Sequence, residues 1–168
     1  NISYFHYVLE AKLVAGDFCF SLGTEFIENP DEPFDKQDCE LKAAYRLLPK
    51  LKDKFPRLPI CLLMDALYLN QHIIDICEKF NWSYFITFKE GAASILMDQA
   101  LTKIELKPEN SCEYKKGNIH KNYSWATDLE FKGHTVHALL CEGVEHQTEK
   151  KFAFVTDLRP NKENVRMF

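Results

Sequence analysis

The sequence predicts an α/β protein, and three observations carry that expectation. The run Pro59-Ile60-Cys61-Leu62-Leu63-Met64-Asp65 sets five consecutive apolar residues after a proline. A short apolar run of this kind reads as a buried strand of an α/β sheet. Amphipathic patterns flank it, with Leu41, Ala44, Tyr45, Leu48 and Leu51 before it and Ile73, Ile74, Ile76, Cys77 and Phe80 after it. Both sets recur at helical spacing. From about residue 103 the pattern turns to alternating, β-rich segments.

The elements follow in order. Residues 4–14 and 17–27 are rich in aromatic and aliphatic residues, and Ala15-Gly16-Asp17 between them is a turn signal, so a β-hairpin is expected. Glu28-Asn29-Pro30-Asp31-Glu32-Pro33 reads as a loop. A helix is expected over Asp38–Phe55, capped by Asp35 or Asp38, with Pro49 kinking it or marking a late break. Pro56 and Pro59 end it, and the strand to Asp65 follows. Asn70–Phe80 reads as a second helix stopped by Asn81, Trp82–Phe88 as a strand, and Ala92–Leu101 as a short third helix. Ile104-Glu105-Leu106 reads as a short alternating piece. Tyr123–Phe131 and Thr135–Val144 are expected as strands joined by the tight Lys132-Gly133 turn, and Lys151–Thr156 as a third. Asn161–Val165 reads as the opening of a helix.

The chain has 168 residues, 46% of them hydrophobic and 27% charged, enough for one domain with a sizeable core. Its 13 phenylalanines are expected to fill that core. A net charge of −4 carries no overall signature of nucleic-acid binding. Local basic clusters exist at Lys50, Lys52, Lys54 and Arg57, and at Lys115, Lys116, Lys121 and Lys132. Their plain reading is solvated faces of a helix and a hairpin. None of the six cysteines forms C-x-x-C, which suggests neither a zinc site nor a redox motif and fits a reducing, cytoplasmic compartment. Cys61 and Cys77 read as small core hydrophobes. No apolar run approaches the length of a membrane span. The chain starts at Asn1 and stops at Phe168 within apparent elements, so it reads as part of a longer protein.

Asp65 carries the functional argument. An unpaired carboxylate is costly to bury, so an acid ending an apolar strand is expected to be paired or to bind a cation. The carboxyl ends of strands in open α/β sheets are also where ligands gather. The competing reading is a turn residue or a cap for the helix near Asn70.

The order of hairpin, helix, strand, helix, strand, helix and β-rich segment matches the later part of a ribonuclease-H-like fold interrupted by a β insertion. Several segments are similar to a known family. They are Tyr7–Leu13, Thr24–Asn29, Lys36–Ala43, Cys61–Tyr68, Phe85–Gly91 and Phe154–Leu158. Together they resemble DDE transposases of bacterial insertion sequences, along nearly the whole chain. The resemblance implies a ribonuclease-H-like core portion over 1–102, a β-rich insertion over 103–158 and the start of a returning helix over 159–168. It implies metal-dependent DNA cleavage and strand transfer, with Mg2+ (or Mn2+) held by three carboxylates and element ends and target DNA as partners. Asp65 matches the family's second acid and is the expected catalytic and metal-ligating residue. The first strand with the first acid, and the last helix with the third, are expected outside the chain; Glu163 lacks the third acid's context.

Other residues have weaker readings. Lys89 is expected to touch a DNA phosphate beside the site, or to be an exposed strand-end lysine. Glu25 is a minor candidate for the site, while Asp38 and Glu40 suit a helix start. His134 and His137 form H-x-x-H in a hairpin, where positions three apart face opposite sides, so they read as ordinary strand residues. Tyr123 and Trp125 are expected in the core rather than stacked on a base. A missing first strand leaves an open sheet edge, from which a homodimer is expected. Two alternatives stand beside the transposase reading: a catalytically inactive DNA-binding or assembly module left by a transposon, and a nuclease of the same fold.

Overall fold

The structure, a computed structural model, describes residues 6–28, 38–88, 93–117, 119–145 and 148–166. Lys89, most of the loop expected at 28–33 and residues 4 and 5 of the first expected strand lie outside the described residues. The protein is mixed α/β, with a six-stranded mixed sheet, a separate hairpin and three helices among the described residues. It divides into two compact units, 1–58 and 59–168.

In the first unit, β1 (Tyr7–Ala15) and β2 (Phe18–Ile27) pair antiparallel around Gly16, whose φ of +60° suits a residue without a Cβ. This is the expected hairpin. Helix α1 (Glu40–Lys54) buries Ala43, Ala44, Leu47, Leu48 and Leu51. It lies against β2, and Gly23 permits the approach: a Cβ there would stand 3.3 Å from Leu47 Cδ1. Pro49 does not end α1. Burial of Leu47, Leu48 and Leu51 on either side of it offsets the one backbone donor that proline lacks.

The second unit is built on a sheet of order β3-β4-β8-β7-β6-β5. β3 (Cys61–Met64) and β4 (Ser83–Thr87) pair in parallel, Leu62 opposite Tyr84 and Met64 opposite Ile86. β8 (Thr148–Thr156), β7 (His134–Glu145), β6 (Ile119–Phe131) and β5 (Ser111–Lys116) continue the sheet antiparallel. The β-rich half is therefore continuous with the α/β half through the β4–β8 pair.

Helix α2 (Gln71–Phe80) has both expected ends. Asn70 Oδ1 accepts from the Ile73 N–H at 3.1 Å, and Asn81 takes the left-handed conformation at φ 55°. Ile73, Ile74, Ile76 and Cys77 are its buried face. Burial pushes the Cys77 thiol up to about 12, as befits a cysteine used as a hydrophobe.

Several expectations are corrected. β3 is an edge strand, not a buried one: Leu63 is 73% exposed and Cys61 is exposed as well. A run of apolar residues does not reveal which strands lack a neighbour. Helix α3 (Ser94–Leu106) runs past Leu101 and absorbs Ile104-Glu105-Leu106, since alternation over so few residues cannot outweigh continuing helical hydrogen bonds. The sequence pattern does not predict β5, because Ser111–Lys116 is too polar to stand out. Residues 162–166 form turns rather than an opening helix, although Val165 N–H does donate to Asn161 O at 3.1 Å, the spacing of one helical turn. The phenylalanines are not all core: Phe18, Phe20, Phe26 and Phe152 are half or more exposed.

Candidate functional site

Asp65 follows β3 directly. Met64 stands opposite Ile86, so Asp65 lies at the sheet end where the parallel strands β3 and β4 both finish. Its carboxylate is exposed, and Oδ1 accepts the Leu67 N–H at 2.9 Å, capping a single 3-10 turn over Ala66–Tyr68. The turn reading is thus realised in the local geometry. An exposed carboxylate remains able to meet a cation there, because capping engages an oxygen without neutralising the charge.

No group of three or more His, Cys, Asp or Glu side chains able to hold a metal occurs among the described residues. Asp157, the acid after β8, does not join Asp65. Its Oδ1 accepts the Tyr84 N–H at 2.9 Å, at the start of β4 and hence at the opposite end of the strand pair. Lys89 lies outside the described residues. Trp125 is buried as expected and Tyr123 is partly buried.

Two polar clusters that the sequence did not announce are well built. In the first unit, Arg46 on α1 donates from Nε to Glu25 at 2.8 Å and from Nη1 and Nη2 to Asp38 at 3.0 and 2.8 Å. Nη2 also donates to Phe26 O, and Lys50 Nζ donates to Glu25 at 2.6 Å. Asp38 further accepts the Glu28 and Cys39 N–H groups. The hydrogen bonds from Arg46 hold the Asp38 carboxyl far below the usual carboxylate range. Lys50 first and Arg46 second lower that of Glu25. Through Arg46 and Lys50 bonding Glu25, this cluster fastens β2 to α1. No short-range signal marks it, because Glu25 and Arg46 are 21 residues apart.

In the second unit, β6 breaks register between Ala126 and Leu129, and Asp128 there has φ 58°. Its N–H donates to Nδ1 of the buried His137 at 3.0 Å, and Arg159 holds its carboxylate with two bonds of 2.8 Å. Lys103 of α3 donates to Thr127 O and Asp128 O. Burial is the main cause that lowers the His137 imidazole below its ordinary value. His134, three residues earlier, has Nε2 3.1 Å from Asp75 and Nδ1 2.9 Å from Glu78, tying β7 to α2. The two histidines thus serve separate structural contacts.

No family model matches this chain, and no curated protein matches it. No helix among the described residues is long and apolar enough to cross a membrane.

Proposed function

We propose that this chain is a portion of the ribonuclease-H-like catalytic core of a DDE transposase, acting on DNA in the cytoplasm. In this reading 1–102 belongs to the core, 103–158 to an insertion and 159–168 to the approach to a returning helix. The observation that carries it is the position of Asp65: an exposed carboxylate at the finishing end of β3, immediately after the hairpin–helix unit and beside a parallel partner strand. The segments that resemble the family, in the family's order, support it. Lys89, two residues beyond β4 in the sequence, would contact DNA.

The described residues alone do not fit a divalent metal, because Asp65 offers one hard oxygen ligand where magnesium needs several. Asp65 is the proposed match to one of the family's three carboxylates for Mg2+ or Mn2+. The open edge of β3 is where a further strand would pair; a second copy of the chain could occupy it instead. A transposon-derived DNA-binding or assembly module, and a nuclease of the same fold, are the other readings.

The test is strand cleavage and transfer by the full-length protein with magnesium and DNA carrying the flanking element ends, against Asp65→Asn. Asparagine keeps an oxygen that can accept the Leu67 N–H, so the melting temperature is expected to hold while activity falls by at least a hundredfold. Undiminished cleavage by Asp65→Asn makes Asp65 a turn residue and removes the assignment. The chain of residues 1–168 by itself is expected to neither cleave nor join DNA.

A further inference from the structure

His134 begins β7, and its imidazole stands between two carboxylates of α2. Nε2 is 3.1 Å from Asp75 Oδ1, and Nδ1 is 2.9 Å from Glu78 Oε1. Asp75 and Glu78 are three residues apart on the helix, a spacing that makes their side chains neighbours. The His134 side chain is only 10% exposed, while both carboxylates reach solvent. Counting donors fixes what this arrangement requires. Ionised carboxylates accept hydrogen bonds and donate none. A neutral imidazole has one N–H and one lone pair, so it serves one carboxylate and turns its lone pair on the other. Only the imidazolium donates from both nitrogens, and bonds between charged partners are roughly twice as strong as neutral ones. Like charges at this helical spacing also repel, and a cation between them offsets that repulsion.

We infer that His134, Asp75 and Glu78 form a proton-operated clamp, which fastens α2 to the β6–β7 hairpin when the ring carries both protons and slackens when it loses one. Helix α2 follows Asp65 through the Ala66–Tyr68 turn, so the clamp holds the element that comes directly after the candidate site. From α2 the ring meets Asp75 and Glu78. From its own hairpin the neighbouring charge is Lys132, whose Nζ stands 5.4 Å from the ring centroid of Phe131, the residue paired with His134. Lys132 is exposed, so solvent screens it from the clamp. The clamp's contribution to stability is full in acid, where imidazoles of the folded and unfolded chain alike are protonated. It is lost as rising pH takes the second proton from the ring. His137, three residues on and so on the other face of β7, is engaged by Asp128 instead and responds in the opposite sense. The inference is independent of the metal chemistry above and needs no role for Asp65.

The test is denaturant titration of the full chain and of His134→Gln at about pH 5.5 and about pH 8, on either side of the ordinary imidazole range. Glutamine hydrogen-bonds but does not titrate, and His137 is common to both proteins, so its opposite response cancels in their comparison. The ratio of the wild-type folding constant to that of the variant is expected to be at least about fivefold larger at the lower pH. Glu78→Gln supplies an amide that can donate to Nδ1 of a neutral ring while Nε2–H donates to Asp75. In that background the ratio is expected to change by less than about twofold between the two pH values. Nitrogen-15 NMR of the wild-type ring at the lower pH is expected to show a proton on both nitrogens. The inference is overturned if the ratio is equal at the two pH values or larger at the higher one, or if Glu78→Gln leaves its pH dependence intact. A bare ring nitrogen at the lower pH overturns it as well, and that measurement decides the matter even if His134→Gln fails to fold.

Discussion

Asp128 adopts a backbone conformation that costs most residues roughly 1–2 kcal/mol, and aspartate is among the few that tolerate it. The bulge it forms aims its N–H at His137 Nδ1, a bond that requires a neutral, Nε2-protonated imidazole. Charged neighbours from three directions surround that ring: Asp128 of β6, Lys103 of α3, and Asp157 and Arg159 after β8. Burial lowers the folded-state pKa beneath its ordinary 6.5, so the folded protein prefers the neutral ring. The resulting stability is fully present above the unfolded pKa and is lost as pH falls through the folded one. Denaturant titrations at pH 8 and pH 5 are expected to show a drop toward acid that shrinks in His137→Gln. An identical acid dependence in wild type and variant would place the proton elsewhere.

Among the elements, α2 is the best specified by its own residues. Asn70 caps its start, and Asn81 in the left-handed region lets Trp82 N–H return to Cys77 O at 2.9 Å. Asn81→Gly is expected to be neutral or slightly stabilising, because glycine adopts that conformation without a steric cost. Asn81→Val is expected to lose about 1–2 kcal/mol, since a β-branched residue there is strained. Thermal melts of the pair check this, and equal melting temperatures would mean the cap relaxes. Helix α1 is held differently: Arg46 and Lys50 in its middle bond Glu25 of β2, 21 and 25 residues away in sequence. This contrast explains what was legible. The caps of α2 and the helical spacing could be read directly, whereas the start of α1, where Cys39 rather than Asp38 is the N-cap and no side chain caps it, the register break at Asp128 and the bridge from Glu25 to Arg46 could not. Each depends on a partner strand or helix that sequence neighbours do not define.

At the scale of the whole molecule, the sheet has one edge at β3 and the other at β5. β5 carries Lys115, Lys116 and Glu113, charges that discourage further pairing. β3 carries Cys61, Leu62, Leu63 and Met64 and has no such protection. Leu63→Lys is expected to change stability by no more than about 0.5 kcal/mol, because Leu63 is 73% exposed. It is also expected to suppress concentration-dependent association measured by light scattering. A wild-type chain that stays monomeric at high concentration would count against pairing of this edge between copies.

The sequence by itself determined the α/β class, the hairpin at Gly16, both ends of α2, and Asp65 as an acid ending a strand. Those features depend on neighbours within a few residues: periodicity, caps, turn chemistry and apolar runs. Only the tertiary structure decided that β3 is an edge, that β8 joins the two halves through β4, and that Arg46 and Arg159 neutralise the acids beside them. It also decided that Lys115 pairs with Glu113 and Lys151 with Glu142. Register is the physical reason, because a shift of one residue moves every side chain of a strand to the opposite face. That choice is made by packing and pairing between distant segments.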